Sequence, residues 1–202
     1  PLFGVVGFQL LGQLAEKFPA QKDRIGTALK EMADFGVGGG TDKASRHKNL
    51  ANKNVVDAIA RMQWQPGIET VVRLMDSKDQ NTRLSAVTAL GKLDAHAATD
   101  KLLQVVNEDD NNFMVKNAII ALGNVGDAKA VPALVRMMFF ERSVSFYAEA
   151  SYALFQIGKP AVPALLDTLG GKQDHLQKLS VKPDPWIVKA KCIEVLADIG
   201  DA

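Results

Sequence analysis

Three stretches decide the fold: SAVTALGKL (Ser85–Leu93), NAIIALGNV (Asn117–Val125) and EASYALFQI (Glu149–Ile157). Each carries Ala-Leu near the end of an apolar helical pattern, and Leu90, Leu122 and Leu154 stand 32 residues apart. A short break follows each block, then a second apolar run: LLQVV (Leu102–Val106), VPALVRMM (Val131–Met138) and VPALLDTL (Val162–Leu169). A fixed period built from two helices predicts an all-α solenoid of stacked antiparallel helix pairs.

Working outward, Asn54–Asp76 joins the series one repeat earlier. Met62 and Leu93 are 31 apart, and Trp64-Gln65-Pro66-Gly67 turns the chain. Gly126 follows its helix, where glycine can take the left-handed conformation that stops a helix, and Gly158-Lys159-Pro160 breaks the next repeat. Pro132 and Pro163 fall in the first turn of a second helix, where a missing N–H costs nothing. An N-cap is expected at Asn111 or Asn112. Leu154 and Leu196 are 42 apart, so about ten residues are inserted, and residues 170–185 are expected to form a loop on one face. A fifth first helix opens near Trp186 and ends Ile199-Gly200-Asp201-Ala202; after the similar Val125-Gly126-Asp127-Ala128 a second helix follows, so the array is expected to be truncated at its C-terminal end.

Upstream, residues 2–18 and 21–35 predict a helical pair, expected to be a diverged repeat. Residues 36–49 (GVGGGTDKASRHKN) predict a glycine-rich loop or linker. The organisation expected is therefore 1–35, 36–49 and a repeat array over 50–202. The glycine run lacks the Gly-Lys-Ser/Thr that a phosphate loop requires, since Thr41-Asp42 follow Gly40.

The carrying residues are Ala86, Ala89, Leu90 and Gly91; Ala118, Ala121, Leu122 and Gly123; Ala150, Ala153 and Leu154; and Val-Pro-Ala-Leu at Val131–Leu134 and Val162–Leu165. With these, the chain resembles HEAT-repeat proteins in their short bacterial form, the HEAT-like or phycobilin-lyase-type repeat. The resemblance covers about residues 50–202. Arg83 matches the family's basic residue early in the first helix, with Lys116 one step off it. It implies a right-handed superhelix, with first helices on the convex side and second helices on the concave side. It also implies a scaffold for other proteins in most members, and in a minority a lyase, a hydroxylase or a DNA-alkylation glycosylase.

Composition narrows the function. The 202 residues carry a formal net charge of +1, which gives no bulk pull towards nucleic acid or anionic membrane. No apolar run approaches the roughly 20 residues of a membrane-spanning helix. Cys192 is the one cysteine, so nothing requires an oxidising compartment; the cytoplasm is expected, and the periplasm fits the same composition. The chain begins at Pro1, so a piece of a longer protein or a removed N-terminus is expected. Cys192 aligns with Ala118 and Ala150 on a packed face and is expected to be buried.

His47, His96 and His175 lie in a loop, a turn and the insertion, with none of the spacings of a helical metal site. No cofactor and no catalytic residue are assigned. Second helices in register give an outward row of Arg73, Gln104, Arg136 and Asp167, beside Thr70, Lys101, Ala133 and Ala164. These small and mixed-sign rows suit a protein-binding ridge better than a phosphate track. Met137-Met138-Phe139-Phe140 cannot all face one side of a helix; most are expected to fill the core between the third and fourth repeats, the alternative being Phe139 or Phe140 as an exposed anchor at the ridge end. The leading expectation is a non-enzymatic scaffold or complex subunit. It would bind protein through Arg73, Lys101, Gln104, Arg136, Asp167 and Phe140, and through Lys172 and His175 of the insertion. One alternative is a bilin-lyase-type enzyme or accessory holding a tetrapyrrole in the groove. Another is nucleic-acid binding through Arg46, Lys48 and Lys53, with His47 beside them.

Overall fold

The computed structural model describes residues 10–11, 13–34, 40, 42–172, 176–177, 179 and 181–200. Among them there are helices, turns and one isolated antiparallel bridge between Glu141 and Ser145, and no strand. The chain divides into two compact units, Pro1–Ala98 and Thr99–Ala202.

In the first unit, residues 10–11 and 13–17 are helical, and three residues of 3-10 helix at Pro19–Gln21 lead into α1 (Lys22–Glu31). The helices α2 (Lys43–Arg61), α3 (Ile68–Leu74) and α4 (Gln80–Lys92) follow. α2 packs on α4, α3 on α4, and α1 on α2. The helix α2 starts well inside the stretch expected as a loop. Asp42 explains why: its carboxylate accepts from the Ser45 backbone N–H at 3.0 Å and so caps the first turn. Asp79 does the same for α4 through the Thr82 N–H at 2.8 Å. The Trp64 turn is a core element. Its indole is buried, donates from Nε1 to Asp23 at 2.9 Å, and lies so close to Gly26 that an added Cβ would sit 2.3 Å from the ring.

In the second unit the order is α5 (Thr99–Glu108), α6 (Asn112–Val125), α7 (Val131–Met137), α8 (Tyr147–Ile157), α9 (Val162–Leu169) and α10 (Pro185–Gly200). First helices stack on first helices, α6 on α8 and α8 on α10, while α7 touches α5 and α9. Asn111 caps α6, accepting from the Phe113 and Met114 N–H groups. Gly126 ends it at φ 71°, the left-handed conformation expected there. Pro132 and Pro163 sit in the first turns of α7 and α9. Leu90, Leu122 and Leu154, the residues that set the period, are fully buried, and so is Cys192, whose thiol burial pushes up to about 11.

The link from α7 to α8 is extended. Ser143 takes φ 60°, and Arg142 holds the link in place: its guanidinium donates to Asn112 Oδ1 at 2.9 and 3.0 Å, to Asp110 at 3.2 Å and to the Asp109 carbonyl at 3.0 Å. Asn112 returns a bond to the Arg142 carbonyl at 3.1 Å. A planar donor fork with this many acceptors fixes the loop against the start of α6.

Candidate functional site

The second helices carry the row expected to face outward. In the first unit Arg73 is exposed on α3, but Thr70, one turn before it, is buried: it faces the core and not the outside. A helical turn shifts a residue by only part of a face, so a row one turn away can already point inward. In the second unit Gln104 is exposed and donates to Glu108 at 2.9 Å. Lys101 and Arg136 are half-buried; Arg136 donates to Asn107 Oδ1, and burial lowers its pKa. Asp167 is exposed and paired with Lys172 at 2.9 Å. His175 lies outside the described residues. Of this row Gln104 and Asp167 are engaged within their own helix or turn, while Arg136 crosses from α7 to α5.

Phe140 has a different setting. Its ring stacks on the buried Phe146 with centroids 5.9 Å apart, and its other side opens on a groove of about 500 Å³. The groove's far wall is built by the insertion and the start of α10, through Leu179, Val181, Pro183 and Ile187. Val181 is 80% exposed. Charges of both signs stand in the same lining: Glu141, Lys182, Asp184 and Lys191. Lys191 is held firmly. Its ammonium donates to the Met138 carbonyl at 3.2 Å and lies 4.4 Å from the Tyr147 ring centroid, a cation–π distance. Tyr147 in turn donates its hydroxyl to Glu194, and burial together with that carboxylate raises its pKa. The insertion thus meets the Met-Met-Phe-Phe junction, two features that the sequence singled out separately.

The first unit has a hollow of about 590 Å³ between α2 and α4, lined by Asp57, Ala60, Arg61, Ser85, Thr88 and Ala89 among others. Nothing in the repeat pattern marks it. Of the basic residues at the start of α2, Lys48 pairs with Asp34 at 3.1 Å and Lys53 with Asp57 on its own helix. Among the described residues no group of three or more His, Cys, Asp or Glu side chains could hold a metal ion, and no helix is long and apolar enough to cross a membrane.

Helix pairs repeated at 31–32 residues, capped and stacked in this way, define an α-solenoid protein. The HEAT-repeat family profile matches residues 46–116, and the PBS lyase HEAT-like repeat profile matches residues 116–139. Residues 46–139 are thus similar to HEAT repeats, the last of them of the phycobilin-lyase type. No curated protein matches it.

Proposed function

We propose that the chain is a non-enzymatic scaffold, a subunit that binds a protein partner through the groove at Phe140. The observation that carries this reading is the groove itself. It has apolar walls from two separate segments, an aromatic floor fixed by Phe146, and both signs of charge at hand, including a Lys191 already immobilised. An apolar centre with a polar rim is the anatomy of a protein-binding patch. The occupant it fits is a chain segment presenting an apolar side chain towards Phe140 with polar or charged neighbours. The ridge residues of the second unit, Gln104, Arg136 and Asp167, serve in this reading as flanking contacts, and Arg73 of the first unit as a separate one. Nucleic acid is the less favoured ligand, because Lys48 and Lys53 each already face a carboxylate.

The test compares capture from the native source by the wild-type protein, by Val181→Glu with Ile187→Glu, and by Arg73→Glu with Arg136→Glu. A partner lost with the groove pair and kept, at reduced yield, with the ridge pair supports the reading. A partner kept by the groove pair overturns it.

A further inference from the structure

The hollow between α2 and α4 differs from its counterpart in the second unit in charge as well as in width. Arg61 ends α2, Lys92 ends α4, and both line the hollow. They hold one repeat position, and the same position is Asn124 in α6 and Gln156 in α8. On α4, Ser85 and Thr88 stand where α8 has Glu149 and Tyr152. Two short hydroxyl side chains in place of a long acid and an aromatic ring leave the space open. Two cations in place of two amides make it positive.

The positive charge is not used up within the fold. Asp57 is the one acid of the lining, and Lys53, outside the lining, pairs with it at 2.5 Å. Among the described residues no carboxylate pairs with Arg61 or Lys92. A basic residue in the last turn of a helix often bonds the final carbonyls. Here Gln63 does that work: its Nε2 donates to the Lys92 carbonyl at 2.9 Å and to the Ala60 carbonyl at 3.3 Å, tying the ends of α2 and α4 together. Ser85 adds a hydroxyl donor. Thr88 already donates to the Leu84 carbonyl at 3.0 Å, so with Ala60, Leu84 and Ala89 it contributes mainly apolar surface. The volume, about 590 Å³, falls within the roughly 300–1,000 Å³ of small-molecule sites and exceeds what a single inorganic ion fills.

We propose that this hollow binds a small organic anion, whose carboxylate or phosphate group meets Arg61 and Lys92 and whose body lies against the alanines and Leu84. A guanidinium fork and an ammonium at one end suit an oxyanion. Asp57, one turn earlier on α2 and neutralised by Lys53, keeps the anionic group at the helix ends.

Isothermal titration calorimetry on the full chain at low ionic strength tests this, with phenyl phosphate and citrate as the two probes and circular dichroism to show that each variant is folded. At least one probe is expected to bind the wild-type protein at a single site, and which one does separates phosphate from carboxylate recognition. Arg61→Gln with Lys92→Gln is expected to raise the dissociation constant about 10-fold or more. Thr88→Tyr and Ala60→Leu leave the charges alone and fill the space, and each is expected to weaken binding as much. Lys17→Gln with Lys78→Gln removes two exposed charges of the same unit that do not line the hollow, and is expected to change the constant by less than about 2-fold. A wild-type protein that binds neither probe overturns the proposal. So does binding that survives both filling variants, which would put the anion elsewhere. Equal losses from the Lys17 and Lys78 pair and from the Arg61 and Lys92 pair also overturn it, since the response would then be to net charge alone.

Discussion

The contact between α6 and α8 in the second unit and the contact between α2 and α4 in the first occupy the same place in the repeat, yet they are built differently. Gly123 and Ala153 correspond in register to Ala60 and Ala89. In the second unit these positions touch: a Cβ on Gly123 would lie 2.7 Å from the Ala153 Cα. In the first unit they line a hollow of about 590 Å³. The ion pair differs as well. Lys116 crosses to Glu149, whereas the equivalent Lys53 finds Ser85 opposite and turns to Asp57, four residues on along its own helix. One missing Cβ and one carboxylate on the facing helix accompany the closed contact; an extra methyl and a serine accompany the open one. The period sets which helices meet, while individual small and charged residues set how closely.

The largest effect is expected from a matched pair of substitutions. Gly123→Leu must force backbone apart and should cost about 3 kcal/mol or more, at or beyond the upper end for overpacking. Ala60→Leu has the hollow to enter and should cost about 1 kcal/mol or less. Urea denaturation of both variants measures the difference, and equal costs would break the comparison. Next is Lys116→Met. It leaves Glu149 without its partner, and one oxygen of Glu149 is already buried with no hydrogen bond, so a loss of about 1–2 kcal/mol is expected. The same change at Lys53, whose partnership is exposed and local, should cost about 0.5 kcal/mol or less. The smallest effect is a gain. Ser85→Glu supplies the missing carboxylate and should stabilise the first unit by up to about 0.5 kcal/mol, with a double-mutant cycle to Lys53 isolating the new pair. A coupling energy of zero would show that the hollow, and not the missing acid, keeps Lys53 on its own helix.

The repeat was legible because it is written in single residue types at fixed spacing. Leu90, Leu122 and Leu154, the Gly126 stop, the prolines of α7 and α9 and the burial of Cys192 all follow from local pattern. What escaped is what depends on residues far apart in sequence. Arg142 gives no sign in its own neighbourhood that its acceptors are Asp109, Asp110 and Asn112, about 30 residues before it. Phe140 was singled out for its apolar setting, but its neighbours Val181 and Ile187 could be named only once the fold had brought the insertion back to it. The early start of α2 had a signal that the glycine run obscured, an Asp followed three residues later by the Ser whose N–H it accepts. Thr70 was set among outward residues because the register of a seven-residue helix is too short to fix its face.

The burial of Trp64 has an optical consequence. The chain has two tryptophans, one wedged against Gly26 in the first unit and one, Trp186, largely in water in the second. Emission from Trp64 should therefore be blue-shifted and should move to the red when the first unit opens, while Trp186 already emits at long wavelength. Fluorescence follows the first unit alone, while far-ultraviolet ellipticity follows the helices of both. Recorded on one sample, the two signals superimpose if the solenoid melts as one cooperative array and separate if its halves melt in turn.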